Sequence, residues 1–153
     1  MDKMRIMLVD DEEGFLFTTK KLLERKGIQV ITAASGHEAL EKLVGESVHV
    51  VILDVKMPGM DGVAVLKAVK SRYPLVQVVM LTGHGTVESA LEGLRSGATD
   101  YLMKPIEPEE LSEIVSHLAE NLALRRQMVA GEPIVPALAV DLVLPTTANA
   151  TTD

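Results

Sequence analysis

The chain has 153 residues and a formal net charge of −7, and 47% of its residues are hydrophobic. This length suits one domain with a sizeable core. The acidic balance argues against nucleic acid as a direct partner, because a phosphate backbone requires a basic surface. There is no cysteine, which excludes disulfides and thiolate metal ligands. Apolar runs stay below the ~18 residues of a membrane span, and the first residues lack a signal-peptide layout, so we expect a soluble, cytoplasmic protein.

Short β-like segments alternate with segments of helical spacing along the chain. The predicted strands are RIMLV (5–9), QVITA (29–33), HVVILD (49–54), QVVMLT (77–82) and DYLM (100–103). The predicted helices cover 12–27, a segment opening at Ser35, a segment from Asp61 to a stop at Pro74, then 86–97 and 108–128. Ser35 and Glu38 match a capping box. Five strand–helix repeats with nearly continuous apolar strands predict an α/β fold, a doubly wound parallel sheet with helices on both faces.

The composition changes near the end of the fifth predicted helix. Residues 129–153 include Pro133, Pro136 and Pro145, which prevent a long helix. They also contain the apolar stretch IVPALAVDLVL at 134–144. We therefore expect one domain over residues 1–128 and a tail over 129–153, which is either a poorly ordered end or a docking peptide for another protein.

Ionisable and hydroxyl side chains follow the predicted strands at their carboxyl ends. Asp10 and Asp11 follow the first strand, Asp54 ends the third, Thr82 ends the fourth, and Lys104 follows the fifth. Ligands of open α/β sheets bind beyond these strand ends. We therefore expect the five side chains to share one crevice.

The adjacent carboxylates of Asp10 and Asp11 need a compensating interaction. At roughly 5 Å and an effective dielectric near 20, two such charges repel by about 3 kcal/mol. Solvent, helix amides, a lysine or a metal ion are the candidates. Oxygen ligands without a neighbouring His or Cys favour Mg²⁺. With Mg²⁺ bound, the carboxylate of Asp54 could attack phosphorus while the metal and Lys104 neutralise the phosphoryl oxygens.

Four motifs occur in order along the chain. They are VDDEEG (9–14), LDVKMPGMDG (53–62), LTGHG (81–85) and GATDYLMKPIEPEEL (97–111). In this order and spacing they resemble the receiver domain of bacterial two-component response regulators, over about residues 4–126. The resemblance implies a flavodoxin-like sheet of order 2-1-3-4-5.

The resemblance also implies a role for each acid of the crevice. Asp54 would accept a phosphoryl group from a sensor histidine kinase. Asp11 and Asp54 would ligate Mg²⁺ directly, Asp10 would act through a water molecule, and the backbone carbonyl of Lys56 would add a ligand. The protein would assist its own phosphorylation and dephosphorylation without being an enzyme for another substrate.

The remaining roles implied by the resemblance concern signal output. Thr82 and Lys104 would contact the phosphoryl group, with Lys104 positioned by a cis bond to Pro105. Tyr101 would be the switch aromatic that follows Thr82. The surface of the fourth helix, fifth strand and fifth helix would then bind a downstream protein, a histidine phosphotransfer partner or a second copy of the chain. We expect no attached output domain and no membrane insertion.

Each of these residues also has a purely structural interpretation. Asp10 and Asp11 could be a solvated helix start, Asp54 a turn residue and Lys104 a surface lysine. Two other classes of protein remain as alternatives. A phosphatase of the haloacid dehalogenase type places its nucleophile in a D-x-D pattern after the first strand, whereas this chain has VDDEEG. A phosphorylation-independent interaction module would keep the fold alone, and the presence of every site residue argues against it.

Overall fold

Five parallel strands form one sheet in the computed structural model, which describes residues 4–57, 60–83 and 87–129. The strands are β1 (Arg5–Val9), β2 (Gln29–Ala33), β3 (Val50–Asp54), β4 (Gln77–Thr82) and β5 (Asp100–Met103). Their order is β2-β1-β3-β4-β5, and every neighbouring pair is parallel. The predicted fold class and strand order are therefore confirmed.

Helices connect the strands as the spacing predicts. They are α1 (Glu13–Arg25), α2 (Gly36–Gly45), α3 (Gly62–Arg72), α4 (Val87–Arg95) and α5 (Pro108–Val129). The Ser35 cap of α2 is confirmed, because Ser35 Oγ accepts a hydrogen bond from the Glu38 N–H at 3.1 Å. The reciprocal bond is shifted by one residue: Glu38 Oε1 accepts at 2.8 Å from the Ala34 N–H and not from the Ser35 N–H that a capping box uses. The Ala34 hydrogen bond and the nearby Lys42 ammonium lower the pKa of Glu38. Both ends of the connection between β2 and α2 are thus fixed by local chemistry.

Two features differ from the sequence prediction. The third strand begins at Val50 and not at His49, and two short antiparallel strands, Lys56–Met57 and Met60–Asp61, lie between β3 and α3. Strands of two residues are too short to give an alternation pattern. Asp61 then caps α3, because its carboxylate accepts a hydrogen bond from the Val63 N–H at 3.0 Å.

The central strands are buried on both faces. Every residue of β3 is buried, and so are all residues of β1 and β4 except the first of each. This two-sided burial explains why these strands are continuous apolar runs in the sequence. Side chains of β1, β3 and β4 pack with Val65, Leu66 and Val69 of α3 in one core cluster. The polar side chains at the carboxyl ends of the strands thus extend from a closely packed base.

Contacts along the chain divide it into two compact units, residues 1–116 and 117–153. The first contains the whole sheet and helices α1 to α4. Of the second, the structure describes residues 117–129, which are helical. The predicted boundary near residue 128 stays a prediction, and the tail from residue 130 lies outside the described residues. In the part of the chain that the structure describes, no helix combines the length and apolar character needed to cross a membrane.

Gly62 is required by a close approach of two segments. A Cβ atom at this position would overlap both the backbone and the side chain of Val55, whereas a Cβ at Gly14, also in the first turn of a helix, would meet nothing within 4 Å. We predict that Gly62→Ala lowers the free energy of unfolding by about 1–3 kcal/mol, the cost of overpacking. The matched control Gly14→Ala should leave it unchanged or raise it by up to about 1 kcal/mol. Urea denaturation of both variants measures the difference, and equal stability would contradict the close approach.

Candidate functional site

Three carboxylates meet at the carboxyl ends of β1 and β3. These strands are neighbours, and Val9 pairs with Leu53, so the residues that follow leave the sheet side by side. One carboxylate oxygen from each of Asp10, Asp11 and Asp54 lies within 4.8 Å of the others. Asp10 and Asp54 are only 0% and 3% exposed, while Asp11 is exposed. Burial of two like charges makes a nearby positive charge necessary.

The ammonium group of Lys104 supplies positive charge to this cluster. Its Nζ atom lies 2.9 Å from Asp10 Oδ2, 3.0 Å from Glu12 Oε1 and 3.5 Å from Asp54 Oδ2. Partial burial disfavours the charged ammonium, but the close contacts with Asp10 and Glu12 and the charges of Asp10 and Asp54 outweigh this effect. The net effect raises the pKa of Lys104 well above its usual value. Lys104 is therefore protonated throughout the physiological pH range.

Backbone contacts hold Lys104 in this place. Its N–H donates to the carbonyl oxygen of Thr82 at 2.7 Å. The peptide bond between Lys104 and Pro105 is cis, as the resemblance implies. Thr82 is the last residue of β4 and its side chain is buried, at 2% exposure. The hydroxyl-bearing residue and the ammonium-bearing residue therefore follow adjacent strands at the same edge as the carboxylates.

Tyr101 and Lys56 lie near this edge, and their predicted roles remain predictions. Tyr101 is on β5, paired with Met80 of β4, and its half-buried side chain packs against the core cluster. Lys56 begins the short strand two residues after Asp54. The structure thus brings Asp10, Asp11, Asp54 and Lys104 together.

Sequence reasoning missed Glu12 and Phe15 as parts of the site. Besides the contact between Glu12 and Lys104, the Phe15 ring lies under the ammonium group, with 5.3 Å from Lys104 Nζ to the ring centroid. That distance is within the range of a cation–π interaction. Their closeness to Asp10 in the sequence could have indicated this, because both residues lie within five residues of Asp10, at the start of α1 beside the crevice.

The carboxylate cluster fits a hard divalent cation. All of its side-chain ligands are oxygens, the donor type that Mg²⁺ prefers. Asp10 Oδ1 accepts a hydrogen bond from the Glu12 N–H at 2.9 Å, whereas the buried Oδ2 accepts none of good geometry despite its ion pair with Lys104. This oxygen therefore retains acceptor capacity at the cluster. Asp10, Asp11 and Asp54 are the side chains that would hold the ion.

The geometry agrees with comparisons to known proteins. Residues 6–116 match the response regulator receiver domain family. The chain belongs to this family. The receiver domain accounts for the parallel sheet, the acidic cluster at its carboxyl edge and the lysine after the last strand.

Curated relatives of this receiver domain are longer proteins. The NtrX-like response regulator of Rickettsia bellii is 34% identical over 84% of this chain, and the DNA-binding transcriptional regulator NtrC of Escherichia coli K12 is 32% identical over 86% of it. The matched part covers 27% and 29% of those two proteins. The chain therefore spans less than a third of the length of these relatives.

Two solved structures match over nearly their full length. A CheY-like receiver domain protein of Methanospirillum hungatei JF-1 superposes with a TM-score of 0.75 at 31% identity, covering 81% of this chain and 99% of that one. The chemotaxis protein CheY4 of Vibrio cholerae superposes with a TM-score of 0.70 at 36% identity, covering 76% and 98%. These similarities are high enough to show the family as well as the fold.

Proposed function

We propose that this receiver domain is a phosphorylation-controlled switch that accepts a phosphoryl group on Asp54 from a sensor histidine kinase, in a reaction that depends on Mg²⁺. The position of Asp54 carries the proposal. Its carboxylate ends the central strand, within 4.8 Å of the oxygens of Asp10 and Asp11 and 3.5 Å from Lys104 Nζ. A nucleophilic carboxylate between a cation-binding pair and an ammonium group is suited to phosphoryl transfer.

Each side chain has a defined task in the proposed transfer. A carboxylate oxygen of Asp54 forms the new bond to phosphorus, while the bond from phosphorus to the donor breaks and its electron pair leaves with the donor group. Lys104 pairs with a phosphoryl oxygen, and the Thr82 hydroxyl donates a hydrogen bond to another. Mg²⁺, when bound, supplies charge that neutralises the phosphoryl oxygens. The same groups later serve hydrolysis of the acyl phosphate, so the protein assists a modification of itself and is not an enzyme for another substrate.

The proposed ligands of the ion are unequal. Asp11 is exposed and makes no ion pair within the described residues, so its carboxylate is available for direct ligation. Asp10 is buried and already paired with Lys104, and in this proposal it would act on the ion through a water molecule, as the family resemblance implies. Asp54 and the backbone carbonyl of Lys56 complete the protein ligands of the proposal.

Output is proposed to pass through α4, β5 and α5. Exposed apolar side chains lie along this route, with Leu91 and Leu94 of α4 and Met103 of β5 between 43% and 51% exposed. Thr82 is bonded through its carbonyl to Lys104, one residue beyond β5, so a change at Asp54 has a short path to this strand. Tyr101 on the same strand is the two-state element of the proposal. The receiving partner is a downstream protein, a histidine phosphotransfer protein or a second copy of the chain.

Asp54 should be the residue that is labelled. Incubation of the chain with acetyl phosphate and Mg²⁺ should add one phosphate, detected by intact-mass spectrometry, and Asp54→Asn should add none. EDTA should stop the reaction, because three carboxylates without a cation repel an anionic donor. The surface variant Glu41→Gln, on the exposed side of α2, serves as a control and should be labelled normally. Equal labelling of Asp54→Asn would contradict the assignment.

Mg²⁺ affinity should depend more strongly on Asp11 than on Asp10. We expect Asp10→Asn to weaken binding by about tenfold, the usual cost of losing an outer-shell ligand. Asp11→Asn should weaken it clearly more, because a direct ligand is lost. Isothermal titration calorimetry measures both affinities, and equal loss in the two variants would refute the ranking.

Phosphorylation should perturb the β4–β5 side of the sheet more than the β1–β2 side. The modification adds about two negative charges at Asp54. We expect the changes in backbone ¹H–¹⁵N chemical shifts to be largest for Thr82, Gly83 and residues 87–106, and small in α1 after Thr19 and throughout α2. Changes concentrated in α1 and α2 would show that the proposed route is wrong.

A further inference from the structure

Glu12 occupies a helix-capping position without capping the helix. It is the N-cap residue of α1, yet its side chain accepts no hydrogen bond from a helix amide. At the same position of α2 and α3, the side chains of Ser35 and Asp61 do accept such bonds. The Glu12 carboxylate instead accepts a hydrogen bond from Lys104 Nζ at 3.0 Å. The Glu12 side chain therefore contacts Lys104 across the site and does not cap α1.

Lys104 is held mainly by the segment that runs from the end of β1 into the first turn of α1. Asp10 at 2.9 Å, Glu12 at 3.0 Å and the Phe15 ring at 5.3 Å all belong to this segment. Asp54 on β3 is farther from the ammonium nitrogen, at 3.5 Å. At rest, Lys104 thus lies closer to the carboxylates of Asp10 and Glu12 than to the carboxylate that is proposed to react.

We infer that Glu12 is a positioning residue that holds the Lys104 ammonium away from Asp54 and thereby slows acceptance of a phosphoryl group. The inference rests on the proposed function of Asp54. The Lys104 ammonium nitrogen lies 2.9 Å from a carboxylate oxygen of Asp10 and 3.0 Å from one of Glu12. To approach a phosphoryl oxygen on Asp54 more closely, the ammonium group moves from this position and lengthens one of these two contacts. Glu12 is the partner that it releases, because the Glu12 side chain is 65% exposed and water can replace the bond, whereas Asp10 is fully buried.

Two substitutions separate this contact from the charge of Glu12. Glu12→Gln removes the charge. Glu12→Asp keeps the charge on a side chain one methylene shorter, which favours capping of α1 over the reach to Lys104. The matched control is Glu13→Gln, which removes one exposed negative charge from the next residue, and Glu13 makes no ion pair within the described residues. Because Glu12 does not cap α1 and its ion pair with Lys104 is partly exposed, all three variants should unfold within a few degrees of the wild type, which thermal unfolding checks.

The rate of labelling by acetyl phosphate at saturating Mg²⁺ tests the inference on the full chain. Both Glu12 variants should react two- to fivefold faster than the wild type and than Glu13→Gln, about the effect of one partly exposed ion pair. A second measurement needs no phosphodonor. The ¹H–¹⁵N signal of the Lys104 ammonium should shift in both Glu12 variants and stay in place in Glu13→Gln.

The outcomes distinguish this inference from the function on which it rests. A wild type labelled normally, with both Glu12 variants at the wild-type rate, would overturn the inference alone. A faster Glu12→Gln together with a wild-type rate for Glu12→Asp would also overturn it, since charge and not contact would then control the rate. A wild-type chain that takes up no phosphate would overturn the proposed function and this inference with it.

Discussion

The ammonium group of Lys104 is the positive charge about which the carboxyl edge of the sheet is organised. Two buried carboxylates, Asp10 and Asp54, would carry a large desolvation cost without a partner, and both lie within 3.5 Å of Lys104 Nζ. The lysine follows β5, which stands three strand positions from β1 in the sheet. At the usual strand spacing that separation is about 14 Å. The bond from the Lys104 N–H to the Thr82 carbonyl extends the pairing of β4 and β5 by one residue, and the lysine side chain reaches from there to Asp10.

This charge arrangement depends on a sheet that does not deform. The strands that carry Asp10, Asp54 and Thr82 are buried on both faces, so each strand end is fixed by packing on either side of the sheet. The overlap that a Cβ at Gly62 would make with Val55 shows that the segment after Asp54 is equally closely packed. Closely packed interiors change between discrete arrangements and do not yield continuously. When a charge is added at this edge, we therefore expect side chains and loops to move and the strands to stay in place.

The sequence predicts the fold well because its two strongest signals agree. Strands buried on both faces are continuous apolar runs, and segments of helical spacing separate the runs, with capping residues such as Ser35 at the start of α2. The same regularity locates Asp10, Asp54, Thr82 and Lys104, because residues that end or follow parallel strands share one edge. Glu12 could not be located in this way. Whether a glutamate at a helix start caps the helix or reaches a lysine 92 residues later is decided by the tertiary position of that lysine. Short strands such as Lys56–Met57 escape prediction because two residues give no periodicity.

In the proposed switch, the free energy available for signalling is a difference between two sets of contacts. A ligand or modification shifts a conformational equilibrium only by its unequal interaction with the two states. A phosphoryl group on Asp54 adds about two negative charges, but Lys104 can answer them only by leaving partners that it already has. If Lys104 had no partners at rest, its attraction to the phosphoryl group would not be reduced by contacts that must first be broken. The negative charges of Asp10 and Asp54 would then have no neighbouring positive charge before phosphorylation. The carboxylates around Lys104 thus stabilise the resting site and, for the same reason, reduce the change that phosphorylation can produce. Glu12 stabilises the resting site from an exposed position. A substitution there can therefore change how strongly Lys104 responds to phosphorylation without disturbing the buried pair of Asp10 and Lys104.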